Sequence, residues 1–167
     1  MPDLESLSRL TAAGVGRALH AGDACPVALT EYLLDKAEGD VAPRAFITVT
    51  RARAMAQAQA AKARITAGRP ASALDGVPVA IKDLIDTQGD VTTAASDLYR
   101  GNPPAQADAP IAAALDRAGL VFLGKTNLTE FAFSGLGLNP HFGTPHNPAP
   151  SGPIRAGRCG YRARSTG

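Results

Sequence analysis

An α/β fold, with helices packed on an incomplete mixed or parallel sheet, is what this 167-residue sequence predicts. Three observations predict it. Two apolar runs, VPVAI at 77–81 and LVFLG at 120–124, have the length and residue types of short buried strands. A helical stretch lies between them, so a right-handed βαβ unit with a parallel strand pair is the natural connection. Apolar residues make up 45% of the chain but aromatics only 5%, so alanine fills much of the quota. That composition suits helices packed closely against a small sheet.

The elements follow in order. Residues 4–19 read as a first helix, with Leu4, Leu7, Leu10, Val15 and Leu19 roughly on one face. GDACP interrupts it, and Pro26 opens a second helix at a position where a proline forfeits no helical hydrogen bond. That helix stops at Gly39. AFITVT, residues 45–50, is β-branched and reads as a strand or an extended lead-in. The run from Arg51 to Ala67 is strongly helix-forming and capped by Gly68. After strand 77–81 comes a long irregular segment, TQGDVTTAASDLYRGNPPAQ, and long loops in compact domains are often functional. Asp108 is placed to cap a helix that turns Ile111, Leu115 and Ala118 to one side and ends at Gly119. Asn127 and Glu130 have the spacing of a capping box opening a further helix through LTEFAF. A parallel sheet needs cover on both faces and more strands than these, so the sheet reads as incomplete.

Several function classes are excluded or disfavoured. Cys25 and Cys159 have no metal-ligand spacing and form no disulfide framework, which predicts a reducing, cytoplasmic setting and no metal site. No stretch reads as a signal peptide or a membrane span. Net charge is +2, but no acidic residue follows Glu130, so Arg155, Arg158, Arg162 and Arg164 give the tail +4 and leave the rest at −2. Four arginines with only Tyr161 among them make a weak phosphate-binding patch, and a solvated terminus is preferred to a nucleic-acid partner. His141 and His146, five apart on a proline-rich loop, lack the helical spacing of a metal pair and read as surface residues. No phosphate-cradling loop and no cofactor motif is present.

GVPVAIKDLID, residues 76–86, places Lys82 at the end of an apolar strand. Such a lysine snorkels to water, pairs with Asp83 or Asp86, or acts as a base. Asp83 and Asp86 read as residues that fix the local backbone or pair with basic neighbours. Thr92, Thr93 and Ser96 follow in the long loop and read as suppliers of turn hydrogen bonds rather than as active-site lining.

The strings GVPVAIKDLIDT and DAPIAAALDRAGLVFLGKTNLTEFAFSGLGLNPHFGTPHNP strongly resemble the amidase signature family, in that family's order and spacing. The resemblance covers residues 1–148 and implies the N-terminal fragment of an amidase-signature fold, followed by a basic tail, 149–167, outside the family pattern. It implies hydrolysis or transfer of a small amide substrate through a serine nucleophile, a second serine held by a cis peptide, and a lysine base. The lysine carries over to Lys82. A lysine can act as a base at neutral pH only if burial lowers its pKa, and the end of an apolar strand is a place to achieve that.

Both serines of the pattern are absent. After Asn147 and Pro148 comes APSGPIRAGRCGYRARSTG, where Ser151, Ser165 and Gly167 do not reproduce the expected glycine-serine spacing. The expectation is a truncated or frameshifted amidase, inactive alone, or a module completed by a separate C-terminal chain. A subunit resembling a transfer-RNA-dependent amidotransferase is the alternative, although FAFSGLGLNPHFGTPHNP looks closer to a general amidase. The family's loop here runs near the substrate, which makes Ser134, Gly135 and Asn139 candidates to line the pocket. On its own residues, Ser134 reads as a turn serine.

Overall fold

The computed structural model describes residues 3–39 and 44–145, so the basic tail and His146 lie outside the described residues. Helix α1 (Leu4–Ser8) opens on Asp3, whose carboxylate accepts the Ser6 N–H at 2.8 Å. The chain then breaks, and α2 (Ala12–His20) starts afresh at Thr11, whose hydroxyl accepts the Gly14 N–H at 3.1 Å. One helix was the expectation; the threonine cap makes two. Leu10 falls at the break and is exposed, whereas Leu7, Val15 and Leu19 are buried with Leu29 and Val77.

Helix α3 (Pro26–Glu38) begins on its proline, as its sequence predicts. Strand β1 (Phe46–Val49) leads directly into α4 (Arg51–Thr66). The inward side of α4 is Ala54, Ala58 and Ala61, all fully buried, and these small side chains let the helix approach the sheet closely. Strand β2 (Pro78–Lys82) starts on Pro78 at the edge of the sheet, where a missing N–H is tolerated. Helix α5 (Pro110–Arg117) buries Ala112 and packs Leu115 and Ala118 beside it, while Ile111 faces outward, 54% exposed. Strand β3 (Val121–Thr126) runs on through Lys125 and Thr126, two residues beyond the apolar run.

The sheet order is β1-β3-β2, with β3 parallel to β2 and antiparallel to β1. It is a small mixed sheet in an α/β fold, and AFITVT supplies its third strand. On one face of β3, Val121 and Leu123 pack with Leu34, Ala54 and Ala58. On the other, Phe122 packs with Ile81, Ala112 and Leu120. Both ladders shift register near Gly124. A Cβ on that glycine would lie 2.2 Å from the Thr48 carbonyl oxygen, so only glycine lets β1 approach β3 here.

Two ion pairs fasten the helices to the loops. Asp108 does not cap α5; Ala109 stands at that N-cap without a side-chain bond. Instead Asp108 takes both Nη atoms of Arg53, at 3.0 and 2.7 Å, and the Gln88 N–H at 2.7 Å. The competing partner was an arginine far away in sequence. Asp75 is fully buried and accepts Nε and Nη2 of Arg64 at 2.8 and 2.6 Å and the Ala71 N–H at 2.7 Å. Among the described residues no helix is long and apolar enough to cross a membrane.

Gly124→Ala is expected to cost about 3 kcal/mol or more by forcing β1 off β3, and urea unfolding against the unsubstituted chain checks this. Acid sensitivity has a definite sign. Burial raises the Asp75 pKa, but the hydrogen bonds from Arg64 and Ala71 outweigh it and leave it lowered. The Arg53 hydrogen bonds lower that of Asp108. Folded values below the usual 3.8 give stabilisation that is complete above that pH and lost as pH falls through the lowered values. Thermal melts should therefore be flat near neutrality and collapse below that point, with Asp108→Asn giving a lower neutral melting temperature and a shallower acid limb.

Candidate active site around Lys82

Lys82 ends β2 and is half-buried. Register decides where it points. Ile81 pairs with Lys125 and Lys82 with Thr126, and side chains in register on parallel strands share a face. Ile81 faces α5, so Lys82 emerges on the opposite side with Ala80, which is exposed. Among the described residues the Lys82 ammonium has no hydrogen-bond or ion-pair partner, and neither Asp83 nor Asp86 pairs with it.

Asp83 turns the other way, into the protein. It is fully buried and lies 3.1 Å from the ammonium of Lys125, itself 1% exposed. The same carboxylate accepts the backbone N–H of Thr93 at 3.1 Å and the Thr93 hydroxyl. Lys125 also donates to the Thr92 hydroxyl at 2.9 Å. The Asp83 backbone is tied as well: its N–H donates to the Thr126 carbonyl and its carbonyl accepts the Ala94 N–H at 3.0 Å. Lys82 is therefore held by a neighbour whose backbone groups and one carboxylate oxygen are hydrogen-bonded, while its other oxygen has only the Lys125 ammonium as an ion-pair partner.

The loop wrapped around this pair is conformationally demanding. Ala94 and Ala95 both adopt left-handed backbone, φ 51° and 55°, which alanine disfavours. Thr93 accepts the Ala95 N–H and Ser96 the Leu98 N–H, so both make turn hydrogen bonds, as their sequence context suggests. Thr93 and Thr92 in addition reach the buried ion pair. Ser96 also donates to Glu130 at 2.6 Å, and the His141 ring lies 3.0 Å from Asp97 and 3.3 Å from Glu130.

The capping box expected at Asn127 does not form. Only a 3-10 turn, Glu130–Ala132, follows, because Phe131 and Ala132 sit at φ 52° and 55° and end helical winding. The Asn127 amide instead donates to the carbonyls of Arg44 and Gly143, at 3.0 and 2.8 Å, and fastens β3 to two distant segments.

The three loop residues named as pocket candidates part company. Ser134 and Gly135 lie on an exposed turn, where the Ser134 hydroxyl accepts the Leu136 N–H at 3.2 Å. Asn139 is 3% exposed, and its amide is filled by backbone partners. It donates to the carbonyls of Ala95 and Leu128 at 2.8 and 2.9 Å and accepts the N–H groups of His141 and Phe142. Asn139 thereby reaches the Thr93–Ser96 loop, while Ser134 and Gly135 do not join it.

Lys125 and its pairing with Asp83 were not singled out from the sequence. The signal was there: FLGK repeats the pattern of VAIK, an apolar strand closing on a lysine.

A family model for amidases matches residues 28–157. The chain belongs to the amidase signature family. It is 39% identical over 158 residues to a glutamyl-tRNA(Gln) amidotransferase subunit of Thermobifida fusca, covering 94% of this chain and 32% of that relative. The corresponding subunit from Aromatoleum aromaticum is 42% identical, with 87% and 30% covered. Among solved amidase-signature structures, a chain from a vestigial complex bearing on the origins of an s-triazine catabolic enzyme superposes with TM-score 0.81 at 33% identity, covering 90% and 33%. The native peptide amidase of Stenotrophomonas maltophilia superposes with TM-score 0.68 at 28% identity, covering 79% and 28%. This amidase-signature chain thus spans about a third of the length of the relatives it matches.

Removing the Asn139 side chain strands several buried backbone groups at once. Asn139→Ala is expected to destabilise the protein by about 3 kcal/mol or more, read by urea unfolding, and to speed amide exchange at His141 and Phe142, whose N–H groups it frees.

Proposed function

We propose that this chain is the lysine-bearing N-terminal part of an amide hydrolase that acts on a small carboxamide by acyl transfer to serine. The single observation that supports the reading most is Lys82 itself. At a strand end, on the open face of the sheet, its side-chain nitrogen has no hydrogen-bond or ion-pair partner among the described residues, and it lies within residues that match the amidase model. In this reading a serine hydroxyl attacks the amide carbonyl carbon, and its proton passes through a second serine to the Lys82 side-chain nitrogen. Collapse of the tetrahedral intermediate breaks the carbon–nitrogen bond, and the proton returns to the departing ammonia. Water then hydrolyses the acyl-serine by the same relay.

The serines of that scheme are not among residues 1–148, and the tail from 149 does not reproduce their spacing. They come from sequence C-terminal to Pro148 in a complete enzyme or from a separate complementing chain. Exposed apolar side chains support a surface of this kind: Leu98, Phe133, Leu136 and Leu138 are each at least half exposed. Tyr99 packs edge-on against Phe131 beside them, with ring centroids 5.6 Å apart.

A second reading, membership of a transfer-RNA-dependent amidotransferase, is favoured by several curated relatives that are glutamyl-tRNA(Gln) amidotransferase subunits at 37–42% identity. Both readings share the serine chemistry and differ in where the released ammonia goes.

Ammonia release from small carboxamides and from glutamine tests the reading. This chain alone is expected to release none. Combined with a serine-bearing amidase remainder it is expected to release ammonia, and Lys82→Ala should lower kcat/KM by about 10²–10⁴-fold. Activity of the combined protein that survives Lys82→Ala would remove the basis of the proposal. Release from glutamine but from no simple carboxamide would favour the amidotransferase.

A further inference from the structure

We infer that Lys125 is a positioning residue for Lys82, acting through Asp83 and the Thr92–Ser96 loop. The inference rests on the reading of Lys82 as the site's base and deepens it. Register puts Lys125 on the α5 side of the sheet and Lys82 on the other, so Lys125 does not share the face on which Lys82 emerges. Its influence runs through the intervening aspartate.

A buried ion pair is a poor way to hold a sheet together, because apolar residues of similar size do so without desolvating two charges. What an apolar pair cannot do is what Asp83 does here. One carboxylate oxygen meets the Lys125 ammonium at 3.1 Å while the other accepts the N–H and the hydroxyl of Thr93. Lys125 then reaches the adjacent Thr92 hydroxyl at 2.9 Å.

These contacts fix both ends of the turn that leaves Lys82. They also hold the start of a segment in which two successive alanines are left-handed. That conformation persists only when its surroundings over-determine it. Further out, the Phe131 N–H bonds the Ala94 carbonyl and the Asn139 amide bonds that of Ala95. Without the Lys125 charge, Asp83 is a buried carboxylate with no counter-ion, and the turn beside Lys82 is the segment free to move.

The test reads Lys82 directly and needs no turnover, so its failure is separable from failure of the amide-hydrolase reading. The full chain is acetylated sparingly with an N-hydroxysuccinimide ester across a range of pH. Mass spectrometry gives the ratio of labelling at Lys82 to labelling at exposed Lys62. Lys125→Met is compared with Asp83→Asn/Lys125→Met, which removes both buried charges and avoids an unpaired carboxylate. Arg53→Met breaks the Asp108 clamp and serves as the control for lost stability alone. The ratio is expected to change by about tenfold in both Lys125 variants and to stay constant in Arg53→Met. An unchanged ratio in the folded Lys125 variants overturns the inference, as does an equal change in Arg53→Met. Failure of the double variant to fold also overturns it, because the pair then serves the fold alone.

Discussion

Strand β3 sets the terms for the rest of the molecule. It is hydrogen-bonded on both sides and buried on both faces, so its neighbours must satisfy four requirements at once. A strand so enclosed needs partners that approach closely. The alanine side of α4 meets one face, α5 and Ile81 meet the other, and Gly124 lets β1 past on the edge. The low aromatic content follows from this geometry. A layer built on Ala54, Ala58 and Ala61 has little room for large rings, and Phe122 is the one large aromatic among the fully buried side chains described.

The polar end of the same strand has a different task. Once the apolar stretch closes at Leu123, the strand continues through Gly124, Lys125 and Thr126 and on to Asn127, and its polar groups tie it to several other segments. Gly124 accommodates β1, Lys125 takes Asp83 and Thr92, and Asn127 takes Arg44 and Gly143. Polar side chains collect there because the apolar part of the parallel pair ends there. Lys82 and Thr126 stand in register at the carboxyl ends of adjacent parallel strands, the usual location for a site in an open α/β sheet.

Much of this was legible in the sequence. The elements came from apolar periodicity, from Pro26 and from Gly68, and all of these are local signals. The parallel pairing followed from connection length. The errors share a cause, namely that a polar side chain had more than one possible partner. Thr11 could cap and did, which split the first helix. Asp108 and Asn127 could also cap and did not, because Arg53 and the carbonyls of Arg44 and Gly143 were closer to their needs. Ile111 and Leu10 were placed inside by periodicity and lie outside, because neighbouring alanine or a helix break took the inward positions.

By itself, the sequence determined the family, the order of the elements and the one lysine on which the proposed chemistry turns. Those properties depend on strings of adjacent residues and on their spacing. The direction in which Lys82 points, the burial of Asp83 against Lys125 and the paired left-handed alanines were decided only by the tertiary structure. Each depends on residues roughly ten to forty positions apart being brought within hydrogen-bond reach, from Asp83 with Thr93 to Asp83 with Lys125. Strand register, which turns Lys82 to the open face and Lys125 to the closed one, has no signature in either strand alone.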